Sequence, residues 1–427
     1  MGVPTVTIAT TDFLSLTKSA ALGLGVADMS LVVVPHPMGQ ISKEAIRAKA
    51  DAAFPEILKA ATQWKPTAKL PPPEPAYPAK RFKLKGTAED VNKFFFQKGW
   101  SLGLPIIPPT PERVKAMLKG TSHRPDEVVW IVPPRKGVLT VELVAVYAVM
   151  AGCKPEYMPL ILAGIEAMAE PAYNWLGATT TTGTVGPMML VNGPIVKELG
   201  IAYGTGAAAG GYHPNVSIGY TLNLIGDIIG GSKAPDVDKS TLGSPADIVA
   251  YVFGENEDAN PWKSSYAVEN GFKPTDNVVT MKNVYPSIDV PDHTSATPEA
   301  HLKWWSHVVN PLIAIPLCLP GFRPYFIILA PEQANMIAKA GWTKNDFKQT
   351  LWKSTRLPLS EWSTGEKMCG IAPVPKELQP STLETLIPIT LTPDDIDIVV
   401  AGGAGKHSQY FVPGHGVAVS KRIDPWR

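Results

Sequence analysis

Val3-Pro-Thr-Val-Thr-Ile8 and Leu31-Val-Val-Val34 are two short, nearly continuous apolar runs, separated by a helical pattern around Phe13 to Leu22 and followed by another from Ser42 to Trp64. Strands joined through a helical crossover run parallel. Runs without polar alternation mark strands covered on both faces. Two strands and two helices amount to half of such a domain, because the sheet keeps two bare edges and the segment buries little surface of its own. The expectation is that residues 1–64 are completed by a partner polypeptide. The alternative is that the two strands join the sheet of the domain that follows.

Residues 65–80 form a proline-rich tether in which Pro66, Pro71, Pro72, Pro73, Pro75 and Pro78 hold the chain extended. From residue 81 to 427 helical and extended patterns alternate, which predicts a larger α/β domain. Helices are expected at Ala88 to Lys98, from Pro111 with Thr110 as cap, at Thr140 to Ala151, at Pro155 to Ala169 and from Asn215 to about Ile229. Strands are expected at Val128 to Val132, Ala178 to Thr182, Pro187 to Asn192, Asp247 to Phe253, Asn277 to Lys282, Tyr325 to Leu329 and Ile396 to Ala401. Thr343-Lys-Asn-Asp346 is a capping box. No internal repeat is visible.

The chain has 427 residues, 45% of them hydrophobic, and a formal net charge of +1 from 39 basic and 38 acidic side chains. That balance gives no footprint for nucleic acid or an anionic membrane and favours small-molecule partners. Met1 to Thr10 lacks the basic and apolar regions of a signal peptide, so a cytoplasmic location is expected. Between Pro171 and Gly226 the only charges are Lys197 and Glu198, but prolines and glycines interrupt the tract below the length a bilayer needs. Cys153, Cys318 and Cys369 are far apart and odd in number, the pattern of buried free thiols.

Several segments carry chemical potential. Ile396 to Ala401 runs into Gly402-Gly-Ala-Gly-Lys-His-Ser408, a glycine-rich turn whose backbone N–H groups can face an anion with Lys406 adding charge. The spacing matches neither the P-loop nor the dinucleotide fingerprint, and a plain tight turn explains it equally well. Thr180 and Thr181 in the tract Thr179 to Thr184, Asn192-Gly193-Pro194, and Gly204 to His213 set hydroxyls, an amide and flexible backbone at strand ends, where α/β proteins bind ligands. Turn and cap chemistry explains each residue singly. Glu255, in Glu255-Asn-Glu-Asp258, can act as a general base or bind a hard cation, or belong to a solvated loop. His36 lies at the end of the second strand, a position suited to a site. His301 and His307 are six apart and fall on different helical faces, so no joint metal site is expected there.

Gly2-Val-Pro-Thr-Val6, Thr10, Phe13 and Val34-Pro-His-Pro37 resemble the UGSC family, (seleno)proteins with a domain similar to the Asp/Glu racemase superfamily. Tyr157-Met-Pro-Leu160, Val191-Asn-Gly-Pro194, Glu255-Asn-Glu257 with Pro261-Trp262, Ala330-Pro-Glu332 and Gly402 to His407 look like the long C-terminal region that accompanies it. The resemblance implies an incomplete racemase-like, flavodoxin-like half-domain ahead of the large domain. Family members carry a Cys-Gly-Ser-Cys or Sec-Gly-Ser-Cys element upstream of the segment with which this chain starts. That element is absent here, so the resemblance implies that a second polypeptide supplies the thiol or selenol. His36 would then sit near the reactive sulfur as acid or base.

Three functions follow. The leading one is a subunit of a hetero-oligomeric enzyme acting on a small organic anion, by oxidoreductase or lyase chemistry at a partner's Cys or Sec. Its candidate catalytic residues are His36, Thr10 and Glu255; Thr180, Thr181, Asn192, Gly193, His213, Gly403, Lys406 and His407 are the candidate substrate-binding set. No cofactor and no metal ligand set is evident. The second is a metal-dependent lyase or hydrolase using Glu255, Glu257 and a histidine such as His213. The third is a non-catalytic scaffold or regulatory subunit.

Overall fold

The computed structural model describes residues 5–26, 28–39, 41–65, 77–208, 211–309, 325–358, 360, 363–364, 367–368, 372–373, 382–388 and 390–427. Gly2 to Pro4, most of the tether, residues 209–210, Cys318 and Cys369 lie outside them. The protein is mixed α/β, and among the described residues no helix is long and apolar enough to cross a membrane.

In the N-terminal unit β1 (Thr7–Thr10) and β2 (Leu31–Val34) pair in parallel, Thr7 opposite Leu31 and Thr10 opposite Val34. Helix α1 (Leu14–Gly23) makes the crossover. Helix α2 (Lys43–Gln63) starts where the Ser42 side chain accepts a hydrogen bond from Ala45 N–H. Val32, Val34 and Ala53 form a small core with Ile57 and Ala60. The strands were expected to be covered on both faces, and they are not. Ile8 is 53% exposed, Phe54 62% and Leu58 53%, because two strands and two helices cannot enclose both faces of a sheet. Among the described residues no third strand pairs with either edge. The unit touches the rest of the chain through α1, where Ser15 Oγ donates to Asp236 O and Gly23 lies so close to Pro134 that a Cβ would come within 2.8 Å of its carbonyl.

The large domain begins with α3 (Ala88–Gln97), α4 (Pro111–Met117), the hairpin β3 (Val128–Val132) and β4 (Gly137–Thr140), then α5 (Val141–Met150) and α6 (Met158–Ala169). Its sheet is built from β5 (Gly186–Asn192), β6 (Tyr251–Gly254), β7 (Val278–Pro291), β8 (Tyr325–Leu329), β9 (Ile396–Val400), β10 (His407–Pro413) and β11 (Val419–Arg422). The order is β9-β8-β10-β7-β5-β6, with β11 also on β7. The remaining long helices are α7 (His213–Leu224), α8 (Pro298–Val309), α9 (Pro331–Lys339) and α10 (Lys344–Ser354).

One unit occurs twice in this sheet, contrary to the sequence reading. Strands β5 and β6 are parallel and β5 pairs antiparallel with the first half of β7; β8 and β9 are parallel and β8 pairs antiparallel with β10. The units then exchange strands: the second half of β7 pairs with β10, and β11 pairs with the first half of β7. Matching bonds extend each parallel pair, from Glu255 N–H to Val191 O at 3.0 Å and from Ala401 N–H to Leu329 O at 3.3 Å. Glu255 and Ala401 are therefore equivalent positions, as are Asn192 and Ala330.

Alternation along the strands feeds three cores. Met189 and Val191 join Val144, Ile161, Ile165, Ile218 and Leu222 of α5, α6 and α7. Ile327, Ile398 and Tyr410 join Trp305, Ile337, Phe347 and Leu351 of α8, α9 and α10. The opposite faces, Met188, Leu190, Phe253, Phe326, Ile328, Val399 and Phe411, meet in a third core between the units. The two outermost strands converge at their carboxyl ends, where Asn256 N–H donates to Val400 O at 2.8 Å.

Three further expectations change. Ala178 to Thr182 is the end of a short helix and a turn, because Asn174 in the left-handed region caps that helix through Gly177 N–H. The strand expected from Asp247 starts at Tyr251, after a capped turn at Pro245–Asp247. Asn215 does not cap α7; it is the third residue of the helix and is buried, bonding Ala202 N–H, Ala207 O and Val252 O.

Phe411 is fully buried in the third core and packs on Tyr251 at 5.0 Å and Phe253 at 6.2 Å. Phe411→Ala is expected to lower stability by roughly 3–5 kcal/mol in denaturant unfolding. Since that core belongs to both units, the large domain should still lose structure in a single transition.

Candidate functional site

The polar groups of the large domain gather where β6 and β9 end. Asn192, the last residue of β5, is fully buried; its Nδ2 donates to Glu255 Oε2 at 2.7 Å and to Glu257 Oε1 at 2.8 Å. Tyr266 N–H adds a 2.7 Å bond to Glu255 Oε2, and Asn260 Nδ2 bonds Oε1 at 3.2 Å. Gly193 N–H binds Glu257 Oε1 at 3.0 Å. Glycine is required there: φ is +91° and a Cβ would stand 2.3 Å from Asp276 O. Burial pushes the Glu255 carboxyl up to about 7, although the charge of Lys344 and the Tyr266 and Asn192 hydrogen bonds pull the other way. Gly193, Lys197, Tyr203, Glu255, Glu257 and Asp258 are among the residues lining a cavity of about 450 Å³. A carboxyl that titrates near neutrality inside a cavity can give or take a proton.

Beside it a cleft of about 1060 Å³ lies between the 402–406 turn, the 256–259 turn and α9. Gly402 N–H donates to Tyr203 O, Asn256 Nδ2 to Gly402 O at 3.1 Å, Gly405 N–H to Glu332 Oε1 at 2.8 Å, and Gln333 Nε2 to Lys406 O at 3.0 Å. Gly403 presses on Thr205, whose Oγ1 would be 2.0 Å from a Cβ, so close packing explains that glycine. Lys339 and Lys406 both line the cleft, and among the described residues neither has an ion pair. These features suit an anionic ligand. His407 bonds Asp289 Oδ2 at 2.9 Å and does not line the cleft.

A separate pair sits at the carboxyl ends of β1 and β2. Thr10 Oγ1 and His36 Nδ1 are 3.1 Å apart, His36 N–H donates to Thr11 Oγ1 at 3.2 Å, and the ring centroids of Phe13 and His36 are 5.7 Å apart. Lys49 Nζ ties down the flanking backbone through Pro35 O at 3.1 Å and Pro37 O at 2.6 Å. The pair is exposed.

The expected residues thus fall into groups: Thr10 with His36, Asn192 and Gly193 with Glu255 and Glu257, and Gly403 with Lys406 in the adjoining cleft. The others stand apart. Thr180 Oγ1 donates to Leu176 O at 2.6 Å and Thr181 Oγ1 accepts from Gly183 N–H at 3.1 Å, which is turn chemistry. His213 Nδ1 is 3.3 Å from Tyr157 Oη and shares no bond with Glu255 or Glu257. Among the described residues no group of three or more His, Cys, Asp or Glu is arranged to hold a metal. Burial raises the Cys153 thiol to about 11, so it is no thiolate.

Sequence reasoning missed two groups. Burial raises Asp227 to about 7 and also raises Asp238 and Asp247, around the π-helical turn Ile225–Ile229. Lys282, buried, and Asp397, half-buried with its Oδ2 enclosed, lie on the inner side of the sheet, where desolvation lowers the lysine to about 8 and raises the aspartate to about 6, each opposed by the other's charge. The usable signal was the alternation of β7, which turns Lys282 inward with Thr280.

With Glu255 and Asp227 raised to about 7 and Asp397 to about 6, the folded protein holds protons that the unfolded chain releases. The contribution of these three carboxyls to stability is therefore expected to fall as pH rises from about 4.5 to 7.5. In Glu255→Gln that slope should flatten, by up to about 3 kcal/mol between pH 5 and 8. Urea midpoints measured across that range check this, and parallel curves for the two proteins would refute it.

Residues 1–63 match the model of the UGSC family. No curated protein and no solved structure matches the chain. The segment that carries Thr10 and His36 is thus similar to the UGSC family.

Proposed function

We propose that this chain is the substrate-holding subunit of a hetero-oligomeric enzyme acting on a small organic anion, with a partner chain supplying a Cys or Sec nucleophile or redox group. The observation that carries this reading is the unfinished parallel sheet. Its carboxyl end bears the Thr10–His36 pair, and its flank exposes Ile8, Phe54 and Leu58. Exposed apolar side chains beside a bare strand edge are what a completing partner covers. With Nδ1–H donating to Thr10 Oγ1, the neutral His36 ring offers the Nε2 lone pair as a base, and the imidazolium offers Nε2–H as an acid. Either form serves a neighbouring thiol or selenol as acid or base. In the large domain, Lys406 and Lys339 attract the anion and the Gly402–Lys406 turn shapes its seat.

A second reading, lyase or hydrolase chemistry in the Glu255 cavity, rests on a different observation: the carboxyl raised to about 7 by burial. Glu255 would be its general acid or base.

Co-expression with a polypeptide bearing Cys-Gly-Ser-Cys is expected to give a complex that survives size-exclusion chromatography. In that complex His36→Gln should lower kcat by roughly 100- to 10,000-fold, the range for loss of a general acid or base. Lys406→Met should raise KM with a smaller effect on kcat. Unchanged turnover in His36→Gln together with loss in Glu255→Gln would move the chemistry to the second reading. A stable monomer with a closed N-terminal sheet would overturn the partner model.

A further inference from the structure

The strand exchange brings together two histidines that the reading above does not use. The register that sets His407 opposite Pro291 places it beside His293, two residues past the end of β7. Their Nε2 atoms are 3.2 Å apart and their rings meet edge to face at 69°. The other nitrogen of His407 is 2.9 Å from Asp289 Oδ2. A carboxylate on Nδ1 keeps the proton there and turns Nε2 into a lone-pair donor, the arrangement that supports metal-bound imidazoles.

The geometry points to a two-imidazole site for a divalent transition metal, with His293 and His407 as ligands through Nε2 and Asp289 as the positioning residue. Two imidazole nitrogens at about 2.0–2.1 Å from one tetrahedral ion stand roughly 3.3 Å apart, close to the separation present. Imidazole donors select zinc, nickel or copper over magnesium or calcium, which take oxygen ligands. Asp292 is not a third ligand. Its Oδ2 bonds His301 Nδ1 at 2.7 Å and its Oδ1 accepts from Thr294 and Ser295 N–H, so it pins the turn that carries His293. Two coordination positions are left for water or a ligand oxygen. The site adjoins the cleft, since Lys406 and Ala296, both lining residues, flank His407 and follow His293 by three.

The test is titration of the full chain with Zn²⁺ by calorimetry and with Cu²⁺ by electron paramagnetic resonance. One equivalent should bind, with two nitrogen donors in the copper spectrum. His293→Ala and His407→Ala should each abolish saturable binding, and Asp289→Asn should weaken it by roughly 10- to 100-fold while retaining both nitrogens. His293, His407 and Asp289 are exposed, so melting temperatures without metal should not change. Absence of saturable binding of either ion, or one-equivalent binding that survives both histidine substitutions, would overturn the site.

Discussion

Everything in the large domain depends on the hydrogen bonds that β7 makes along its length. Its first half closes the edge of β5 and receives β11, and its second half leaves that unit to pair with β10 of the other. An unpaired backbone group buried away from water is costly. Neither unit can therefore withdraw its strands without exposing the edges of both. The third core, with Phe326 and Phe411 from one unit against Leu190 and Phe253 from the other, exists only because of this exchange. So does the meeting of β6 and β9 at Asn256 and Val400, where the polar groups collect.

Duplication of the scaffold did not duplicate the chemistry. Where one unit has Asn192, Glu255 and Glu257, the other has Ala330, Ala401 and Gly403. In the first, Glu255 is buried, Glu257 is half-buried and both are hydrogen-bonded, and burial holds Glu255 near neutrality. The second is a small-residue turn with lysines at its side. Two equivalent strand ends thus present opposite electrostatics to adjoining cavities, one able to exchange protons and the other to attract an anion.

Much of this was legible in the sequence, for physical reasons that differ by element. Strands β8 and β9 are apolar on nearly every residue because both faces are covered, and the capping box at Thr343 and Asp346 marks the start of α10. The carboxyl-end rule located Asn192, Glu255 and the 402–406 turn. It did not distinguish Thr180 and Thr181, whose hydroxyls serve the local backbone. The repeat was hidden because equivalent positions share geometry and not side chains. The sequence reading ends this strand at Lys282, yet β7 continues to Pro291 and the lysine is fully buried. Its charge is met inside by Asp397, a partner 115 positions away that no local pattern announces.

The same exchange sets the order in which the chain can fold during synthesis. The second half of β7 pairs with β10, whose residues are made more than a hundred positions later. At ordinary translation rates of about 5–20 residues per second, that half-strand waits on the order of ten seconds. A strand whose neighbour is still unmade keeps a bare edge, which is an aggregation hazard, and contacts so distant in sequence close slowly. The nascent chain consequently has an interval of dependence on chaperones that ends only when β10 has left the ribosome.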